Sequence, residues 1–183
     1  MSAAPWGATA DEWAFWSRLA GPDLLPVVSN VHAKISPSST MGALGKTPSR
    51  YNSRGEVVGI PNWMFYQVTF EDIAAWSRQG DYGICLQTRR YRAYDIDVDD
   101  LAAAVAIEGF ILRSQGISGP CRTRSNSGKR LILFRLDGEL TKQILRTEGG
   151  MVELLATGQQ CIVAGTHTSG VRYQWNRLED DFV

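Results

Sequence analysis

The 183-residue sequence predicts an α+β fold in which helices cover a mixed or antiparallel sheet. Two observations indicate this class: helical and strand-like segments follow one another without regular alternation, and strands outnumber helices in the second half of the chain. The composition is that of a globular protein, because 44% of residues are hydrophobic and 10% are aromatic, which is enough for a sizeable core. We therefore prefer this class to a doubly wound fold, and we expect residues 1–183 to form one domain.

Helices are predicted where capping residues precede apolar residues at helical spacing. Thr9 and Glu12 form a capping box, and the Trp13 and Trp16 that follow are expected to pack in the core rather than to stack on bases. Gly21-Pro22 ends this first helix. The other predicted helices run from a Thr69 cap to Arg78 and from Leu101 to Ser114, the last ending near Gly116.

Apolar runs between turn residues predict the strands. They cover residues 82–88, 92–98, 121–125, 130–136, 151–156, 160–164 and 171–175. The third and fourth strands are expected to form a hairpin closed by a turn at 125–129. The Ser-, Gly- and Pro-rich segment 36–62 is either a mobile loop or a functional one, since it carries Lys46, Arg50 and Arg54.

Charged residues are unevenly distributed, although the formal net charge is zero. Zero net charge counts mildly against nucleic-acid binding, because contact with phosphates favours a basic excess. Eight basic residues nevertheless lie between Arg113 and Arg146, against Asp137 and Glu139, and four aspartates lie between positions 95 and 100. This distribution suits either a phosphate substrate that meets metal ions or an ordinary mixed, solvated surface.

The cysteines and the termini indicate a cytoplasmic protein. Cys85, Cys121 and Cys161 are isolated and odd in number, so we expect neither a structural zinc site nor a disulfide framework. Residues 1–10 lack the pattern of a signal peptide. No apolar run approaches the roughly 18 residues typical of a membrane span, so no membrane partner is expected.

The first candidate site is Asp95-Ile96-Asp97, within the predicted strand 92–98. Because side chains alternate along a strand, Asp95 and Asp97 share one face, while the apolar neighbours on either side share the other. Two adjacent carboxylates repel each other unless a cation neutralises them, and oxygen ligands suit Mg²⁺ or Mn²⁺. The alternative is an edge strand with both acids in water, but the apolar strand at 131–134 favours a more central position.

Three further polar motifs follow along the chain. The segment 124–130 combines a Ser-Gly turn with flanking cations, and it can cradle a triphosphate or form an ordinary exposed hairpin turn. Glu153 interrupts apolar neighbours on a predicted strand, where it either pairs with an arginine or supplies a third metal ligand. His167 lies in a Thr/Ser/Gly-rich turn, where it either hydrogen-bonds a phosphate or is a bystander.

Four motifs follow one another along the chain: the DxD, the basic Ser-Gly hairpin, the apolar-Glu strand, and the Gly-x-His-x-x-Gly turn before Tyr173 and Trp175. In this order they resemble the archaeo-eukaryotic primase superfamily. The similarity is to the primase-polymerase domains of phages and plasmids, and it covers roughly residues 20–176. It implies an RRM-like catalytic half with flanking helices, and a two-metal site for Mg²⁺ or Mn²⁺. It also implies DNA template and primer with dNTP or NTP as partners, in a bacterial host cytoplasm if the protein is phage-encoded. A helicase is a further candidate partner, and the chain is a candidate N-terminal domain of a longer replication protein.

The resemblance also implies roles for particular residues. Asp95 and Asp97 match the metal-binding DxD, and Glu153 matches the third acid. Where the family has a His before the apolar strand, which helps to hold the triphosphate, this chain has Leu131. We expect Lys129 or Arg130 to supply the positive charge that is missing at this position. The candidate nucleotide-binding residues are Arg124, Ser127, Gly128, Lys129, Arg130 and His167, and Lys46 lies in a Gly-Lys-x-Pro segment often found in the family.

The reaction that the resemblance implies is template-directed nucleotidyl transfer, in which a 3′-hydroxyl attacks the α-phosphate and pyrophosphate leaves. Two other functions stay open: a non-catalytic module that binds single-stranded nucleic acid through aromatics such as Tyr91, Tyr94 or Trp175, and a DxD glycosyltransferase. A Walker P-loop is rejected, because position 40 holds Thr40 where the motif ending at Gly45-Lys46 requires glycine.

Overall fold

The computed structural model describes residues 6–176 of the chain. Within them, three α-helices, two short 3₁₀ segments (Gly21–Asp23 and Trp63–Phe65) and eleven strands are present. The helices are α1 (Ala10–Ala20), α2 (Phe70–Trp76) and α3 (Leu101–Gln115). The strands are β1 (Leu24–Val28), β2 (Ser49–Tyr51), β3 (Val57–Gly59), β4 (Tyr82–Gln87), β5 (Tyr91–Val98), β6 (Cys121–Arg124), β7 (Ser127–Arg135), β8 (Gln143–Thr147), β9 (Gly150–Leu155), β10 (Gln160–Ala164) and β11 (Gln174–Trp175).

The chain divides into two compact units. The first unit comprises the described residues up to Leu86 together with Ile162–Arg172. It holds most of a three-stranded sheet in the order β1-β4-β10, with β1 antiparallel to β4, and the β2-β3 hairpin. Trp13 and Trp16 of α1 are each 1% exposed, so the prediction that they pack in the core is confirmed.

The second unit comprises Gln87–Cys161 and the described residues from Tyr173 onward. Its six-stranded sheet has the order β11-β6-β7-β5-β9-β8, and every neighbouring pair is antiparallel. Helix α3 packs on one face of this sheet, where alternate residues of the central strands form an apolar core. Members of that core include Ile96, Val98, Ala104, Ile111, Ile132 and Val152.

The α+β class with antiparallel sheets agrees with the sequence-based expectation. The starts of the three helices also agree, whereas α2 ends at Trp76, two residues before the predicted end at Arg78. Thr9 and Thr69 each cap a helix through a full capping box, Asp100 caps α3, and Gly116 ends α3 in the left-handed conformation. No helix among residues 6–176 is long and apolar enough to cross a membrane. The three cysteines are separate, buried thiols.

Several strand predictions were wrong or incomplete. The hairpin turn is Ser125-Asn126 rather than 125–129, so β7 begins at Ser127, three residues earlier than predicted. Of the predicted strand 171–175, only Gln174 and Trp175 pair in a sheet. Strands β1, β2, β3 and β8 were not predicted: β1 contains Pro26, which an edge strand tolerates, and β8 is fully exposed and lies in a charged segment.

Candidate active site

The three predicted acids meet on one face of the second unit's sheet. Asp95 and Asp97 lie on β5, which is flanked by β7 and β9 and is therefore central, as expected. Glu153 on β9 is the direct cross-strand partner of Asp95. Opposite residues of an antiparallel pair project to the same side, so Asp95, Asp97 and Glu153 share a face.

The other face of β5 explains why the acids are held in this orientation. Tyr94, Ile96 and Val98 project toward α3, where Ile96 and Val98 belong to the apolar core. A slip of one residue would bury both carboxylates under the helix and expose the apolar side chains. Packing of α3 therefore fixes the face on which the acids lie.

The Asp95 carboxyl lies in an environment that disfavours its charged form. Burial raises the pKa of the Asp95 carboxyl, and the neighbouring Asp97 and Glu153 carboxylates raise it further. The positive charges of Arg122 and Lys129 oppose this shift without cancelling it. An additional cation at this position would stabilise the ionised form.

Two lysines form ion pairs with the other two acids. The Lys129 ammonium lies 2.6 Å from Asp97 and 3.5 Å from Asp99. Its hydrogen bond to Asp97 raises the pKa of Lys129. Lys142 lies immediately before β8, and its ammonium nitrogen is 2.7 Å from a carboxylate oxygen of Glu153. Lys142 was not predicted as a site residue, because its proximity to Glu153 depends on the pairing of β8 with β9.

The donor types at this face suit a hard divalent cation, since all three acids offer oxygen. Nevertheless, among residues 6–176 no three His, Cys, Asp or Glu side chains are arranged to hold one metal ion together. Lys129 and Lys142 each engage one of these acids, Asp97 and Glu153 respectively. The three acids share a face and offer the oxygen donors that a divalent cation prefers, and their role as metal ligands stays a prediction.

A row of cross-strand partners extends from the acids to the β11 edge of the sheet. Asp95 is opposite Leu131, Leu131 is opposite Arg122, and Arg122 is opposite Trp175. The Arg122 guanidinium lies 4.4 Å from the centre of the Tyr173 ring. Arg122 thus carries positive charge on the acid face, a position that sequence reasoning missed because it required the register of three strands.

Leu131 is 1% exposed and is the direct β7 partner of Asp95. The family's His, by resemblance, would stand at this position beside the first acid. In this chain the position is apolar, and the nearest cations on the same face come from β6 and from the start of β7. Those cations are Arg122 and Lys129.

Arg130 does not join this group. It is paired with Ile96, which faces α3, and its guanidinium forms an ion pair with Glu108 of that helix. Because alternate residues of β7 project to opposite faces, Lys129 and Arg130 cannot both reach the acids. The expectation that Arg130 supplies the missing positive charge is therefore wrong, and the same expectation for Lys129 stays a prediction.

Ser127 and Gly128 lie within β7 rather than in a turn, so the predicted turn-shaped phosphate cradle is not formed there. Ser127 is opposite Arg124, and its Oγ accepts a hydrogen bond from the Lys129 N–H at 3.2 Å. A Cβ added to Gly128 would lie 2.4 Å from the Asp99 carbonyl oxygen. Gly128 therefore permits close approach of β7 to the backbone just beyond Asp97.

His167 and Lys46 belong to the first unit. The His167 Nδ1 accepts the Ser169 N–H at 3.1 Å, so the neutral ring carries its proton on Nε2. Gly45, next to Lys46, packs against the same turn, since a Cβ added to Gly45 would lie 3.0 Å from the Thr168 methyl group. The structure brings these two predicted residues into one region, and their nucleotide-binding role stays a prediction.

An apolar cavity of about 480 Å³ also opens in the second unit, but it lies on the α3 face of the sheet. Its lining includes Tyr94, Ile107, Phe110, Leu145 and Val152. Since none of the three acids borders it, this cavity is not the candidate active site.

Comparison with known proteins identifies a family for the chain. No curated protein matches the chain. A family model does match: residues 39–181 fit the model described as bifunctional DNA primase/polymerase, N-terminal. This match covers most of the chain and includes all three acids and both lysines. The chain therefore belongs to the bifunctional DNA primase/polymerase N-terminal family.

Proposed function

We propose that this protein is a template-directed DNA primase-polymerase, which transfers a nucleotidyl group from a dNTP or NTP to a 3′-hydroxyl in phage or plasmid replication. Residues 1–183 would form its catalytic domain, with the archaeo-eukaryotic primase fold and its RRM-like catalytic half in the six-stranded sheet. Family membership supports the activity in general terms. The metal dependence and the roles of single residues are our proposal.

The observation that carries this proposal is the cross-strand pair of Asp95 and Glu153 with Asp97 beside it. Three carboxylates share one face of two central strands, and four cations project from strands or strand ends toward the same side. Acids alone would suit many metal enzymes, but acids bordered by cations suit a substrate that brings both metal and phosphate. The four cations are Arg122, Lys129, Lys142 and Arg146, the last opposite Met151, which is itself opposite Asp97.

In this proposal Asp95, Asp97 and Glu153 would hold two Mg²⁺ or Mn²⁺ ions, and Glu153 would complete the binding site of the ion that serves the attacking hydroxyl. The ions, when bound, supply positive charge that favours the ionised hydroxyl and neutralises the leaving pyrophosphate. Lys129 and Arg122 bind the triphosphate from the β7 and β6 side of the acids. The protein's contribution is to position the reactants and stabilise charge, which this chemistry chiefly requires.

A primer-extension assay tests the proposal. The protein is incubated with Mg²⁺ or Mn²⁺, a DNA template and each nucleotide type, with and without a primer. Metal-dependent, template-complementary products are expected. DNA binding without incorporation would instead indicate a non-catalytic module, and turnover of a nucleotide sugar would indicate a glycosyltransferase.

A further inference from the structure

The two lysines on the acid face, Lys129 and Lys142, share one property. Each is paired with an acid that the proposed function assigns to metal binding: Lys129 with Asp97, and Lys142 with Glu153. The distances of 2.6 and 2.7 Å are those of direct, charge-assisted hydrogen bonds. One oxygen of Asp97 and one oxygen of Glu153 are therefore already engaged by an ammonium group.

The lysine side chains are nevertheless easy to displace. Their side chains are 39% and 37% exposed, so water can solvate either ammonium group when it leaves. Ion pairs at this exposure contribute little net stability, because solvent screens them and two long side chains must be ordered. The side chains of the acids are less exposed, at 35% for Asp97 and 19% for Glu153. The acids are therefore destabilised more than the lysines when they are left without a partner of opposite charge.

The lysines also approach from opposite sides of Asp95. Lys129 comes from β7, on one side of β5, and Lys142 precedes β8, which lies beyond β9 on the other side. A displaced ammonium group stays within a side chain's length of the acids, because its Cα remains fixed on the sheet. Any anion that arrives with the metal ion would therefore find two cations close by.

We propose that Lys129 and Lys142 are exchangeable counter-ions. Without substrate they neutralise Asp97 and Glu153, and when a divalent cation enters with a nucleotide they transfer to the nucleotide's phosphates. A free divalent cation competes with the lysines for these carboxylates and leaves a displaced ammonium group without a new anion, whereas a metal-nucleotide complex supplies one. The site therefore couples metal binding to nucleotide binding, and the coupling must be reciprocal. This inference rests on the proposed function of the three acids.

Metal binding measured without catalysis tests this inference. The dissociation constant of Mn²⁺ is measured by electron paramagnetic resonance for the unmodified protein and for Lys129→Met and Lys142→Met, with and without a non-hydrolysable dNTP analogue. Loss of a competing ammonium group should tighten the binding of free Mn²⁺ by roughly 3- to 10-fold in each variant. The gain in Mn²⁺ affinity that the analogue causes should shrink in the same variants.

Lys34→Met is the matched control, because Lys34 forms an equally short pair with a glutamate, Glu56, in the first unit at 2.8 Å. It should change neither quantity. Free Mn²⁺ affinity that is unchanged or weaker in both Lys129→Met and Lys142→Met would overturn the inference, as would an undiminished effect of the analogue. Thermal unfolding tests whether each variant is folded. If Lys142→Met does not fold, Lys142→Gln replaces it.

Failure of this inference can be told apart from failure of the proposed function. If the unmodified protein extends primers but the lysine variants bind Mn²⁺ like the control, the counter-ion role is wrong and the polymerase function stands. If the variants tighten Mn²⁺ binding but the unmodified protein incorporates no nucleotide, the counter-ion role stands and the polymerase function fails.

Discussion

Gly128→Ala tests whether close packing at the start of β7 sets the position of the acids. The added Cβ would meet backbone atoms on the far side of the contact: the Asp99 carbonyl oxygen at 2.4 Å and the Leu101 nitrogen at 3.1 Å. Real Cβ atoms essentially never approach another heavy atom within 3.0 Å, so the two backbones must separate by at least ~0.6 Å. The segment that must move joins Asp97 on β5 to the N-cap of α3.

Overpacking of this kind costs about 1–3 kcal/mol of unfolding free energy. For a chain of this length, each kcal/mol lowers Tm by about 2–4 °C, so a decrease of roughly 2–12 °C is expected. Displacing Asp97 should also reduce nucleotide incorporation by roughly 10-fold or more, since catalysis is sensitive to shifts of about 1 Å.

The assays are thermal unfolding followed by circular dichroism, and primer extension at a temperature at which the variant is folded. Gly149→Ala is the matched control, because a Cβ at Gly149, in the β8-β9 turn, meets nothing within 4 Å. If Gly128→Ala has the same Tm and the same activity as Gly149→Ala, the packing argument is wrong.

Two further predictions concern single charges on the acid face. Arg122→Met should raise the nucleotide KM by roughly 10- to 100-fold in steady-state kinetics, because a charge-assisted phosphate contact is lost. Arg135→Met, which removes an exposed cation 3.9 Å from Asp137, is its control, and a change of less than about twofold for Arg122→Met would contradict the assignment. Asp95→Asn should stabilise the metal-free protein at neutral pH, because burial and the neighbouring carboxylates disfavour the charged form. A raised folded-state pKa means that Asp95 makes the protein less stable as pH rises from the ordinary value of 3.8 through the raised pKa, so the advantage of the variant should shrink as pH falls through that window. The difference in unfolding free energy between Asp95→Asn and the unmodified protein is measured by urea unfolding at several pH values. A variant less stable than the unmodified protein at neutral pH would refute the electrostatic reasoning.

The sequence predicted local features of the fold well. Capping residues such as Thr9 and Thr69 act through backbone groups within a few positions, so their effect can be predicted without knowing the tertiary structure. The shared face of Asp95 and Asp97 follows from strand alternation alone. The nearness of Glu153 to Asp95 did not follow from spacing, and it was expected only from the family resemblance.

Features that depend on strand register were missed. Arg122 and Lys142 lie 27 and 11 residues along the chain from the acids they approach, Asp95 and Glu153, and only the pairing of five strands brings them close. The hairpin turn was misplaced because a turn of two residues was predicted as one of five. A predicted β7 that began at Ser127 would have placed Lys129 and Arg130 on opposite faces of the sheet, because side chains alternate along a strand.

Templated incorporation by single acid-to-amide variants tests the central claim most directly. Asp97→Asn keeps the size of the side chain but removes the charge that the site requires, and Asp137→Asn makes the same change at a residue of the second unit whose side chain is 85% exposed. Both proteins are compared with the unmodified one in Mg²⁺- and Mn²⁺-dependent primer extension, after circular dichroism confirms that they are folded. We predict that Asp97→Asn abolishes incorporation and that Asp137→Asn retains it. Near-normal incorporation by Asp97→Asn would contradict the assignment of the active site to the acid face.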